Sequence, residues 1–144
     1  MNIWEVQNRL TRQLLTWAGA SLATGALLSS LRDRFWKGVG AQFMGWGAIN
    51  ALIATLGGWI SRKRRAGLVP AEIPVAEARE GRNLERLLRI NTFLDILYVA
   101  FGFLLIFRRR GEDRFWRGSG WGIVIQGAFL FFFDLIHALR LRRI

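Results

Sequence analysis

The sequence predicts an all-α, polytopic membrane protein. Four transmembrane helices form two tandem helical hairpins, an internal repeat with pseudo-two-fold symmetry, and a short interfacial helix precedes the third span. Three observations predict this. Four long apolar blocks occupy residues 14–31, 39–60, 90–107 and 119–139. The charged residues gather at the ends of those blocks. A charged, aromatic and glycine motif occurs twice, 80 residues apart, each time at the entry of a block.

Composition sets the bounds. With 144 residues, 52% hydrophobic, the chain has room for one domain, here a single membrane domain over 1–144, and is too apolar for disorder. Its division is a first hairpin over about residues 9–60, a linker over 61–82 and a second hairpin over 83–139. Cysteine is absent, so neither a disulfide framework nor a thiolate metal site is possible. A net charge of +11 ordinarily points to nucleic acid, but the apolar residues lie in span-length blocks, so a bilayer is the expected partner and nucleic acid is not.

A helix needs roughly 20 apolar residues to cross a hydrocarbon core about 30 Å thick. The first two blocks carry no charge, the third carries Asp95, and the fourth carries Asp134 and His137. Barrel strands alternate polar and apolar residues and these blocks do not; helices satisfy their own backbone groups in lipid. The first block follows Arg9 and Arg12 as a signal peptide would, yet it is long for one and lacks a small-residue cleavage site, so it reads as a retained span. Small residues in span one (Thr16, Gly19, Ala20, Ala23) and span two (Gly38, Gln42, Gly45) mark expected packing faces. The run Arg62-Lys63-Arg64-Arg65 closes span two, and the linker around Pro70 and Pro74 is extended. From about Val75 the pattern turns helical, with Leu84, Leu87 and Leu88 on one face, as an interfacial helix leading into span three.

Four spans put both termini and the long linker on one side. That side holds 13 of the 21 Lys and Arg, so the positive-inside rule favours cytoplasmic termini in a bacterial inner membrane. Trp36, Trp116 and Trp121 fall at one expected boundary, Trp17 and Trp59 at the other.

The repeat is specific. Asp33-Arg34-Phe35-Trp36-Lys37-Gly38-Val39-Gly40 returns as Asp113-Arg114-Phe115-Trp116-Arg117-Gly118-Ser119-Gly120. At an offset of 77, Ala23 and Gly25 match Ala100 and Gly102, which leaves three extra residues in the arginine-rich stretch 108–111. Repeats of two spans each have the same topology and are related by an axis along the membrane normal. Arg34, Trp36, Lys37, Arg114, Trp116 and Arg117 are candidate ligands for anionic lipid headgroups. Their long stems lie on apolar surface, their charges reach phosphate, and the glycines open a helix N-terminus.

Only the polar residues inside the spans offer chemistry. Asn91, Asp95 and Tyr98 share one face of span three, continued by Gly102; Gln126, Asp134 and His137 share a face of span four. Counted from the common boundary, Asn91 is level with His137, Asp95 with Asp134, and Gly102 with Gln126, giving one polar track between spans three and four. Asn50 in span two adds a polar group from the other hairpin. In the first hairpin Leu14, Ala18 and Ser21 stand where Asn91, Asp95 and Tyr98 stand in the second. Two readings remain open. Such groups act as interhelical glue, at about 0.6–2 kcal/mol per bond, in a structural or accessory bundle that also serves a homo-oligomer or membrane complex. Alternatively Asp95 and Asp134, sharing a proton, serve a small proton, cation or solute transporter. Catalytic and metal-ligand spacings are absent and one histidine cannot give two haem ligands, so neither an enzyme, a metal nor a cofactor is expected.

The residues Asn91, Leu94, Asp95, Tyr98 and Gly102, followed by Gln126, Gly127, Phe129, Leu130, Phe133 and Asp134, carry a resemblance. The sequence resembles a family of small, uncharacterised bacterial four-helix membrane proteins with N-x-x-L-D-x-x-Y-x-x-x-G and I-x-x-Q-G-x-F-L-x-x-F-D helices. Trp46 and Asn50 resemble its first-half W-x-x-x-N, while Gly45 and Gly47 depart from it. The resemblance implies a membrane protein with no assigned activity.

Overall fold

A computed structural model describes residues 2–108 and 113–142. It is all-helical: α1 (Ile3–Ser29), α2 (Arg34–Ala66), a 3-10 turn (Pro70–Glu72), α3 (Ile73–Arg108) and α4 (Arg114–Leu141). Side-chain caps set three of the starts. Asn2 accepts from the Glu5 N–H at 3.0 Å, Asp33 from the Phe35 N–H and Asp113 from the Phe115 N–H, both at 2.9 Å. Each cap satisfies a backbone donor that a helix start leaves open.

Three segments are long and apolar enough to cross a membrane: α2, Pro70–Arg108 and α4. The expectation of four spans is thus carried to three by length and composition. The first block differs because α1 stops at Ser29, short of Leu31, and its uncharged part holds Thr16, Ser21, Thr24 and Ser29. The expected separate interfacial helix is not separate: residues from Ile73 onward form one unbroken α3 of 36 residues. At 1.5 Å per residue that is about 54 Å, well over a core of about 30 Å, and the surplus is its charged front. The three extra residues expected at 108–111 fall mostly outside the described residues.

The helices pack α1 on α2, α3 on α4, and α2 on α4; α1 barely meets α3, and α2 and α3 keep their backbones apart and touch through side chains alone. So α4 is the most enclosed element, burying Gly118, Ser119, Gly120, Gln126, Gly127 and Asp134 among others. Where the helices converge, glycine permits it. A Cβ at Gly25 would lie 2.8 Å from the Gly40 carbonyl, and one at Gly40 2.7 Å from the Gly25 carbonyl. The same contact recurs between Gly102 and Gly120, at 2.9 Å each way. A Cβ at Gly38 would collide with the Phe115 carbonyl, and one at Gly118 with the Phe35 carbonyl. Backbones meet this closely in helix pairs only across small residues.

The expected packing face of α1 is corrected. Thr16, Gly19, Ala20 and Ala23 are exposed, and nothing lies within 4 Å of a Cβ at Gly19 or Gly45. The buried stripe is Ala18, Ser21 and Gly25, one helical step round. At the other end Ile3, Trp4, Val6 and Leu10 form an apolar cluster with Leu68, Leu84, Phe133 and Leu141. This cluster ties the fronts of α1 and α3 to the end of α4.

Candidate functional site

The polar residues of the helix interiors separate into two groups. Gln126 is fully buried and turns toward α1, away from α3: its Oε1 accepts from Trp17 Nε1 and its Nε2 donates to Ser21 Oγ, both at 3.0 Å. Trp17 is therefore no boundary anchor; its ring stacks on Phe129 with centroids 3.7 Å apart. His137 also turns to α1. Its Nδ1 lies 2.6 Å from the Phe133 carbonyl and its Nε2 3.0 Å from Gln13 Oε1. A carbonyl only accepts, so Nδ1 is the donor. Gln126 and His137 thus leave the expected α3–α4 track. Sequence order points only to the neighbour along the chain, whereas α4 has helices on several sides. The sequence signal for Ser21 was present, since Ser21 matches Tyr98 in the repeat and lies on the Leu14, Ala18 face.

The second group lines a chamber of about 170 Å³ bounded by Trp46, Asn50, Asn91, Asp95, Tyr98 and Asp134, with aliphatic side chains between them. Asp95 and Asn91 of α3 and Asp134 of α4 thus line one cavity. Asn50 and Asp95 are each only 3% exposed. Among the described residues Asn50 Nδ2 has no hydrogen-bond partner, and Asp95 Oδ2 meets no N–H or O–H donor. Trp46 and Tyr98 make an edge-to-face pair with centroids 5.1 Å apart, forming an outer wall of the chamber.

A vestibule of about 280 Å³ adjoins the chamber, sharing Leu14, Ile53, Asn91 and Asp134 with it. It occupies the cleft between α2 and α3. Its outer rim is polar: Arg64 Nη1 donates to Glu80 Oε1 at 3.0 Å, Gln7 Nε2 to Glu80 Oε2 at 3.4 Å, and Ser61 Oγ to Gln7 Oε1. Between rim and chamber stand Leu10, Leu84, Leu87 and Leu88.

The repeated motif lies at the opposite end and has turned partly on itself. Arg114 grips Asp33 with two bonds, Nε to Oδ1 at 3.2 Å and Nη2 to Oδ2 at 2.7 Å. Arg34 Nη2 stands 3.6 Å from Asp113 Oδ1 in the reciprocal position. The Arg114 guanidinium, with the Phe35 N–H, holds the Asp33 carboxyl below its ordinary pKa. Of the expected headgroup ligands, Arg34 and Arg114 therefore face carboxylates of the protein. Trp36 and Trp116 are exposed, each edge-on to its neighbouring phenylalanine. Lys37 and Arg117 are exposed too, with no ion pair among the described residues. No group of three or more His, Cys, Asp or Glu suited to a metal occurs among the described residues.

Neither a curated protein nor a solved structure matches the chain. Its residues 13–135, which include the whole chamber, match the model of one sequence family, and the chain belongs to the family of unknown function DUF6992.

Proposed function

We propose that the chain is a multi-pass protein of a bacterial inner membrane, built of two tandem hairpins related by an axis along the membrane normal. It acts without catalysis, as a compact accessory bundle. The observation that carries this reading is Gln126: a fully buried amide that ties α4 to α1 through Trp17 and Ser21. In hydrocarbon such an amide has no water to fall back on, so its bonds hold the bundle together. The duplicated glycine contacts and the reciprocal Asp33–Arg114 and Arg34–Asp113 pairs support the two-fold relation. The charged overhangs of α2 and α3, with both termini, belong on the cytoplasmic side, and α1 crosses as the fourth span with help from its packing on α2. At the other face Lys37 and Arg117, flanked by Trp36 and Trp116, suit anionic headgroups.

The chain has no cysteine, so single introduced thiols test the topology directly. Ser30→Cys and Glu77→Cys are expected to react with an impermeant maleimide from opposite faces of sealed vesicles. Labelling of both from one face refutes the four-span arrangement. The second reading is a small transporter or channel built on the acidic chamber, but the vestibule described suits binding better than through-passage.

A further inference from the structure

We infer that the chamber between α2, α3 and α4 is a binding site for a small protonated amine that also carries an oxygen acceptor, a solute of amino-alcohol size, admitted through the α2–α3 cleft.

The argument begins with two unmet groups. Asp95 Oδ2 and Asn50 Nδ2 are buried, come from different helices and line one cavity, yet the protein supplies neither with a partner. A buried polar group without a partner is costly, so a molecule that pairs with both is held strongly. Asp95 calls for a donor and Asn50 for an acceptor. The charge of the chamber decides which kind of donor. Two carboxyls, Asp95 and Asp134, line it, and the lining contains no Lys, Arg or His. A cation relieves their repulsion. A bare metal ion is a poor fit, because the unpartnered atom of Asn50 is its amide nitrogen, a donor, and the acids lining the cavity number only two. An ammonium group satisfies the carboxyls with directed N–H bonds, lies against the Trp46–Tyr98 wall favourably, and leaves an oxygen on the same molecule to accept from Asn50.

The route follows from the packing. Beyond the chamber, away from the termini, the helices close on the Gly25–Gly40 and Gly102–Gly120 contacts. Toward the termini the α2 and α3 backbones stay apart, and the vestibule leads to a rim of Gln7, Ser61 and the Arg64–Glu80 ion pair that spans the two helices.

This inference takes from the membrane reading only that the chamber is dry. Its test is thermal unfolding and titration calorimetry of the full chain in detergent micelles, with ethanolammonium chloride as the probe. A saturable rise in Tm is expected, with affinity at least about tenfold weaker in Asp95→Asn and in Asn50→Leu. Asn50→Leu gives up no hydrogen bond from its unpaired amide nitrogen, so it serves as the folded variant should Asp95→Asn prove unstable. An equal rise with sodium chloride overturns the amine assignment in favour of a metal ion, and an equal rise with acetamide overturns the need for charge. No saturable rise, or undiminished binding in both variants, overturns the site itself. Maleimide topology is untouched by any of these results, so failure here is distinct from failure of the four-span reading.

Discussion

The two ends of the bundle solve opposite problems with the same helices. At the α1–α2 turn, Gly38 and Gly118 bring α2 and α4 to backbone contact, and Asp33 and Arg114 bridge the pair outside. At the end bearing the termini, α2 and α3 stand apart and a vestibule runs inward between them. The difference is side-chain volume. Glycine at the crossing removes the spacer between backbones; Leu84, Leu87, Leu88 and Ile60 around the cleft keep it. One end is thus committed to packing and the other retains space, and mutations should fall unequally on them.

The largest effect is expected from Gly38→Ala or Gly118→Ala. Each adds a Cβ where a backbone carbonyl already stands, and backbone cannot step aside as a flexible side chain does. Losses of about 3 kcal/mol or more are expected, read as a collapse of the monodisperse peak after extraction in mild detergent. Gly19→Ala is the control, since nothing lies within 4 Å of its added Cβ, and it should leave the peak unchanged. Next comes Gln126→Leu, which strands Trp17 Nε1 in the interior; a loss of about 1–3 kcal/mol is expected in reversible unfolding. In the chamber the sign should reverse. Asn50→Leu exchanges an unpaired amide for an apolar group of similar size, and a gain of up to about 1 kcal/mol is expected in the same assay. Equal losses for Gln126→Leu and Asn50→Leu would erase the distinction between a tied interior and an open one.

The smallest effect is the pH response of the outer bridge. Arg114 depresses the Asp33 pKa, so the folded state binds this proton less readily than the unfolded chain. The contribution is complete above the ordinary carboxylate range near 4 and is lost as pH falls through the lowered value. Both partners face solvent, so salt should weaken it. The check is a Tm series from pH 6 to pH 2 with and without Arg114→Ala: the two proteins should converge in acid.

Block ends in the sequence locate the apolar parts of α2, α3 and α4, because charge and hydropathy change within a residue or two at Lys37, Arg62, Arg89 and Arg108, but the helices run on into charged sequence, α2 to Ala66 and α3 from Ile73. Faces were harder. Gly19 and Ala20 look like packing residues, yet the buried stripe passes through Ala18 and Ser21, since small residues tolerate contact without demanding it. The Asp33-Arg34 and Asp113-Arg114 dipeptides read locally as headgroup ligands; only the three-dimensional nearness of the two copies reveals that they answer each other. Counting along antiparallel neighbours sets Asp95 level with Asp134, and both line the chamber. Gln126 and His137 escaped that count because α4 has several neighbours and sequence order names only one. Trp4, buried at 3% exposure before the first apolar block, gave no signal at all, since its cover comes from the far ends of α3 and α4.

Enclosure of α4 carries a consequence for biogenesis. It is the last of the four helices to leave the ribosome, yet it supplies the partners of Trp17, Ser21 and Gln13 on the first. Until it arrives, α1 and α2 can zip together through Gly25 and Gly40 but leave the Ser21 hydroxyl and the Trp17 indole nitrogen without the partner that Gln126 brings. Chains truncated before residue 126 would therefore keep those polar groups unpaired, and the final helix acts as the keystone that closes the bundle.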